Sequence, residues 1–238
     1  MKKILIAGDS FGFGQGCSDR LFYIDKKTKK YVGDRNLAYK GSSQYCWASL
    51  LQQDYPNYQV INLSKPGLDN MSISMNLFKH LTENVELVIF AGTSANRIQI
   101  ADPFYPNTLM SWIVGAEPSV GDDYPEEWIT ATRYYTKHLY NEMAVANMSV
   151  AAIASIYGLS ISTNSKFLYS VRNVIKPERT SQWLSQLDKY IIKDIYDFVC
   201  GPVTGNDNYL AEDGHANDLG HSDYYKQIVK PTIESINL

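Results

Sequence analysis

The sequence predicts an α/β domain built on a parallel, doubly wound sheet. Three short apolar runs, Ile4–Ala7, Gln59–Leu63 and Glu86–Thr93, have strand length and end in turn residues. The segments between them, Ser42–Leu51 and Met71–Thr82, carry the mixed apolar and polar spacing of helices. Strand, helix, strand, helix, strand is how a doubly wound sheet begins. The unbroken apolarity of the third run suits a strand covered on both faces.

The first run is closed at once by Gly8-Asp9-Ser10-Phe11-Gly12, so Ser10 stands just past a strand end. In an open α/β sheet, ligands bind in the crevice beyond the carboxyl ends of the strands. Serine is a weak nucleophile and needs a base beside it. Residues 13–40 are rich in Gly, Asp, Lys and Tyr without a sustained period. They read as a loop insertion with a small hairpin pairing 22–25 with 30–33, and they either shape a pocket next to Ser10 or form a plain insertion.

Ser42–Leu51 reads as a capped helix with Tyr45, Trp47, Leu50 and Leu51 facing the core, ended by Pro56 and Asn57. Asn62 closes the second strand, and the turn-rich loop Ser64–Asn70 leads into the next helix. A second insertion, 99–127, contains Pro103, Pro106, Pro118 and Pro125 and the aromatics Phe104, Tyr105 and Trp112, expected to stand exposed above the sheet edge. From 126 to 158 the pattern is helical, with an interruption expected near Asn147. Met143, Met148, Val150, Ile153 and Ile156 make its later part apolar nearly all round, so that part is expected to be buried. Leu159–Ser162 and Lys166–Val171 are candidates for a fourth strand, and 183–196 has helical spacing. Ser222–Ile236 reads as a closing helix with Tyr225, Ile228 and Val229 inward and Pro231 bending or breaking it. No internal repeat appears, and 1–238 reads as one domain.

Composition narrows the function. The chain has 238 residues, 45% hydrophobic and 20% charged, with a formal net charge of -3. No continuous apolar run is long enough to suggest a membrane span, and the scattered Lys and Arg leave no basic footprint for nucleic acid. Three cysteines, Cys17, Cys46 and Cys200, lack CxxC spacing, which argues against a disulfide framework and a structural zinc site. His80 and His138 fall in predicted helices with no ligand at metal-binding spacing, so no metal is expected. Met1-Lys2-Lys3 is followed by an apolar run too short for a secretion signal, and the expectation is a cytoplasmic protein. The 18 tyrosines fit either a carbohydrate-facing surface or a tyrosine-rich core boundary.

The base for Ser10 is offered near the other end, in Ala211-Glu212-Asp213-Gly214-His215-Ala216-Asn217-Asp218-Leu219-Gly220-His221. A carboxylate just before a histidine suits an acid that orients an imidazole, which in turn takes a serine proton. Gly8-Asp9-Ser10, Asn62-x4-Gly67 and Asp213-Gly214-His215-x-Asn217-x2-Gly220-His221, in that order, resemble blocks I, II and V of the SGNH (GDSL-type) hydrolases. That resemblance implies a flavodoxin-like three-layer α/β/α fold with a central parallel sheet. It also implies hydrolysis of a short acyl or acetyl ester, on a small molecule or a glycan, by a cofactor-free triad of Ser10, His215 and Asp213. Glu212 is the alternative acid, because the commoner family spacing is Asp-x-x-His. His221 is taken as structural.

For the oxyanion hole the resemblance implies the Ser10 N–H, Gly67 and a third donor. Where the family has Gly-x-Asn-Asp, this chain has Gly92-Thr93-Ser94-Ala95, so the third donor is Asn96, two residues late, or Ser94. Arg97 either binds an anionic substrate group or pairs with a surface carboxylate. Two further readings use the same fold: a binding protein whose altered third block has lost turnover, and an O-acyltransferase working through the same triad.

Overall fold

The computed structural model describes residues 1–24, 31–34, 40–82, 84–102, 109–114, 125–172, 185–201 and 205–238. Expectations for Phe104, Tyr105, Pro103, Pro106, Pro118, Trp183 and Leu184 lie outside these residues. The central sheet has four parallel strands: β1 (Lys2–Gly8), β4 (Tyr58–Asn62), β5 (Val85–Ala91) and β8 (Lys166–Ser170), in the order β4-β1-β5-β8. The chain leaves β1 toward one edge and returns to its other side as β5, so the strand order reverses at β1. Ser10 therefore sits at the switch point, where the loops diverge and a crevice opens.

Strand alternation divides the core into two layers. Ile4, Ile6, Leu87 and Ile89 point to one face and pack against helices α2 (Trp47–Asp54), α6 (Ile195–Cys200) and the closing helix from Asp218. Leu5, Ala7, Val88 and Phe90 point to the other and meet α3 (Asn70–His80) and α5 (Glu142–Ser162). Each such Leu or Ile, wholly buried, contributes roughly 1.5–3 kcal/mol. The result is a three-layer α/β/α arrangement. Two small antiparallel pairs stand apart from the sheet: β2 (Tyr23–Ile24) with β3 (Tyr31–Val32), at the expected hairpin, and β6 (Arg97–Ala101) with β7 (Leu109–Ile113).

Several elements differ from their sequence expectations. Helix α2 begins at Trp47, not Ser42, because the hydroxyl of buried Ser43 donates to Asp19 and accepts the Tyr45 N–H, tying the chain ahead of the helix to Asp19. Tyr45 is consequently exposed, while Trp47 and Leu51 are buried. The long helical region opens with α4 (Glu126–Tyr134) and breaks at Tyr140–Asn141, where a π-turn at 135–139 ends and Asn141 caps α5 by accepting from the Ala144 N–H. Asn147 continues the helix. Leu159–Ser162 is the last turn of α5, not a strand, and Ser160, Ser162 and Thr163 bond back to its carbonyls.

Helix α5, 21 residues long with a mean hydropathy of 1.6 over its most apolar 18 residues, meets the length and composition of a membrane span, contrary to the sequence expectation. In this fold Val145, Ser149, Ala152, Ile153 and Ile156 pack inward, whereas Met143 and Met148, expected buried, are exposed. Trp112, expected exposed, is buried against Tyr135.

The expected helix at 183–196 is interrupted in its described part. Asp188–Tyr190 forms a 3₁₀ turn, and the Ile192 N–H donates to the Tyr169 carbonyl, adding a parallel bridge beside β8. Asp194 then caps α6. The closing helix starts at α7 (Asp218–Tyr224), passes through a π-turn at 225–229 and continues as α8 (Lys230–Ser235). Pro231 has no N–H to give the carbonyl four residues back, and the π-turn takes up the mismatch without ending the helix.

Candidate active site

Asp9 makes the turn that presents Ser10. Its Oδ1 accepts the Phe11 N–H at 3.0 Å as the cap of α1 (Ser10–Phe13), and its Oδ2 accepts the Thr93 hydroxyl at 2.7 Å. Buried Asp9 thus ties the Ser10 turn to the end of β5. Asn62, at the end of β4, donates to the Gly12 carbonyl at 2.9 Å and holds α1 from the opposite side. As the first helical residue, Ser10 has no intrahelical acceptor for its own N–H.

The histidine turn is fastened separately. Asn217 caps α7 through the Gly220 N–H and donates its amide to the carbonyls of Asn208 and Leu210. The Ala211 N–H donates to the His215 carbonyl at 2.8 Å, closing a tight loop around Gly214. Two contacts join this loop to the nucleophile segment. Ser18 bonds the Asp218 carboxylate through its N–H at 2.9 Å and its hydroxyl at 2.7 Å. Gly16, at φ +100, lies where an added Cβ would meet the His215 Cβ at 2.7 Å, so only glycine lets the two turns approach.

The outcome is a linked trio. His215 Nε2 lies 3.0 Å from Ser10 Oγ, and His215 Nδ1 lies 3.2 Å from Asp213 Oδ2. Asp213 Oδ1 is already committed to the His215 backbone N–H at 3.0 Å. One carboxylate therefore serves both the main chain and the ring of a residue two positions on. That short spacing leaves the Nδ1–Oδ2 approach close but poorly aligned for a full hydrogen bond. Burial pushes the Asp213 carboxyl upward, but contact with the His215 ring and N–H outweighs it and holds it below the usual carboxylate value. Glu212, the alternative acid, is exposed. Phe11 packs on the His215 ring, centroids 5.0 Å apart, and is itself covered by the Arg172 guanidinium, which also stacks on Tyr196. Arg172 pairs with buried Asp194 at 3.3 Å, and burial raises Asp194 to about 6.

The side of the site expected to receive an oxyanion is built differently. Gly67 sits in the loop between β4 and α3 at φ +79, with its carbonyl accepting from Gln99 Nε2 at 3.2 Å. Asn96 is tied down: Nδ2 donates to the Val114 carbonyl at 3.1 Å, and Oδ1 accepts the Ser94 hydroxyl. Both alternatives for the third donor are thus engaged with each other. Asn70 occupies the space behind, bonding the Thr93 N–H, the Thr93 carbonyl and the Ser149 hydroxyl. Arg97 is partly buried, and its Nε is shielded without a hydrogen-bond partner. Among the described residues it makes no ion pair. No cluster of His, Cys, Asp or Glu suited to a metal occurs among the described residues.

No protein-family model matches the chain, and no curated protein matches it. Solved structures do match. A protein described as lipolytic, of the G-D-S-L family, from Desulfitobacterium hafniense is 12% identical, with 95% of this chain and 97% of that chain covered and a TM-score of 0.51. The fold is that of the SGNH hydrolases. A psychrotrophic esterase, EstA from Pseudoalteromonas sp., is also 12% identical, with 99% and 98% covered and a TM-score of 0.50. A carbohydrate esterase whose active site is described as having divergent catalytic and non-catalytic binding functions is 12% identical at a TM-score of 0.53; the match takes in 98% of this chain and 65% of that one. At these identities the likeness is one of fold.

Within that SGNH fold, Ser10, His215 and Asp213 come together from opposite ends of the chain, while Gly67 meets Gln99 and Ser111 of the β6–β7 pair, and Asn96 and Ser94, just before β6, bond each other. Sequence reasoning missed the positioning roles of Asn62, Asn70, Thr93, Ser18 and Asp218. Only Asn62 carried a signal, through its place in the Asn-x4-Gly element.

Proposed function

We propose that the protein is a serine esterase that hydrolyses a short acyl or acetyl ester, with a carbohydrate as a fitting alcohol. The observation that carries this reading is the 3.0 Å approach of His215 Nε2 to Ser10 Oγ, with Asp213 3.2 Å from Nδ1. Ser10 Oγ attacks the carbonyl carbon while its proton passes to Nε2, which requires the ring to carry its proton on Nδ1, facing Asp213. The tetrahedral oxyanion forms beside the N–H groups of Ser10 and Gly67. Such donors supply about 10²–10³ in rate each. His215 then gives its proton to the departing alkoxide, leaving an acyl-Ser10 ester. Water, deprotonated by the same ring, attacks that ester and releases the acid. This chemistry needs no cofactor.

A panel of acetyl and short acyl esters tests the reading, with hydrolysis measured for wild type and Ser10→Ala. Turnover that vanishes in the variant is the expected result; equal rates in both would end it. One observation favours a second reading, a binding protein without turnover: Asn96 spends its amide on Val114 and its oxygen on Ser94. On that reading a glycan would raise the Tm while no ester showed Ser10-dependent hydrolysis.

A further inference from the structure

Arg97 is a side chain whose described surroundings do not explain it. It opens β6, and alternation along that strand puts Arg97 and Gln99 on one face. Opposite them on β7 stand Ile113 and Ser111. That face lies on the Gly67 loop: Gln99 donates to the Gly67 carbonyl at 3.2 Å, and the Ser111 Cβ lies 3.1 Å from where a Gly67 Cβ would stand. Arg97 is one step nearer the end of β5 along the same face, beside Asn96.

Its electrostatic neighbours agree with that placement. Burial is the largest influence and pulls its pKa below the ordinary arginine value, while Asp9 and Asp69 favour its charge and Arg172 opposes it. Asp9 immediately precedes the nucleophile, and Asp69 caps α3 just past Gly67. Neither carboxylate binds Arg97. Asp9 uses both oxygens on Phe11 and Thr93, and Asp69 accepts the Ser72 N–H. A desolvated guanidinium costs stability unless something hydrogen-bonds it. Arginine's planar fork of donors matches a carboxylate or phosphate.

We propose that Arg97 is the receptor for an anionic group, a carboxylate or a phosphate, carried by the substrate ester close to its scissile bond. The proposal rests on the reading of Ser10 as nucleophile and adds the substrate's charge. The anion enters over the Gly67 loop, pairs with the guanidinium and fixes the carbonyl over Ser10. Arg97 is then a specificity determinant whose effect falls on KM for anionic esters.

Four esters test this: glyceryl monoacetate, O-acetyl-lactate, acetylglycerol phosphate and glyceryl monosuccinate. They place no charge, a carboxylate or a phosphate on the alcohol, or a carboxylate on the acyl group. Wild type is expected to favour at least one anionic ester in kcat/KM by about 10-fold or more, the scale of a charge-assisted hydrogen bond. Arg97→Gln should erase that preference through KM, costing the preferred anionic ester far more than glyceryl monoacetate, and Arg97→Lys should restore part of it. Whichever charged ester is preferred identifies the group. Equal losses on neutral and anionic esters would make Arg97 a structural counter-charge to Asp9 and overturn the proposal, as would the absence of any anionic preference in wild type. Should no ester be turned over, the Tm in inorganic phosphate or lactate decides. Stabilisation of wild type but not of Arg97→Gln upholds the receptor while the esterase reading falls; no difference between the two proteins refutes the receptor.

Discussion

The two halves of the site are held to different standards. The attacking half, Ser10 with His215 and Asp213, is fastened from several sides: Asp9 and Asn62 grip the nucleophile turn, Asn217 the histidine turn, and Ser18–Asp218 joins them. The stabilising half rests on Gly67, whose carbonyl is held by Gln99, and on Asn96, whose amide is spent on Val114. On the proposed reading, the difference teaches that nucleophile delivery and charge stabilisation are separable constructions on this sheet, the first fastened more firmly than the second.

Variants can break that comparison, starting with the largest effect. Ser10→Ala or His215→Ala is expected to lower kcat on the order of 10³-fold or more without moving KM comparably. A smaller loss would show that the attacking half is not the working one. Asp213→Asn should cost roughly 10²–10⁴ in kcat, whereas Glu212→Gln, at an exposed side chain, should stay within about 2-fold. The reverse ranking would transfer the acid to Glu212.

The stabilising half is sharpened by a pair. Gly67→Ala forces a Cβ onto a φ of +79 and toward Ser111, at a cost of about 1–2 kcal/mol in stability, read as a lower Tm together with a lower kcat. Asn96→Ala should lower the Tm through the lost Val114 bond yet reduce kcat by less than about 10-fold, because that amide is already engaged. A fall of about 10²–10³ would make Asn96 a true oxyanion donor.

The smallest effects concern pH and stability. Burial holds His221 to about 3, against an ordinary 6.5. Below about pH 6.5 the unfolded chain takes up a proton that the folded chain refuses, so His221 subtracts stability as pH falls toward 3. Asp194 acts oppositely. Its carboxyl, raised to about 6 from 3.8, holds a proton in the folded state that the unfolded chain has released. Its contribution therefore grows as pH falls from above 6 toward 4 and is lost as pH rises. Urea unfolding across this range should show a shallower acid loss in His221→Gln and a steeper one in Asp194→Asn. Unchanged slopes would mean that neither group is buried as described.

The sequence made the attacking half legible because its signals are local: a strand run ending in Gly-Asp-Ser, and an Asp-Gly-His-x-Asn turn. Joining them rested on the resemblance to the SGNH blocks, with the strand-end rule placing Ser10 at the crevice. The sheet strands were legible for the same reason, each a short, mostly apolar run closed by turn or polar residues. The stabilising half was not, because its state depends on the antiparallel pairing of 97–101 with 109–113, which brings Val114 to Asn96 and Ser111 to Gly67. Nothing in Gly-Thr-Ser-Ala-Asn-Arg announces that partner. The helical region from 126 misled in another way. Its even apolarity gave no inward stripe, so Met143 and Met148 were assigned to the core though they face outward, and Leu159–Ser162 was read as strand when α5 simply continues through it.

The most direct test of the account is where an active-site serine reagent lands. Wild-type protein treated with a fluorophosphonate and digested should carry the adduct on the peptide containing Ser10, and His215→Ala should suppress the labelling. An adduct on another residue, or labelling of Ser10 that persists undiminished without His215, would contradict it.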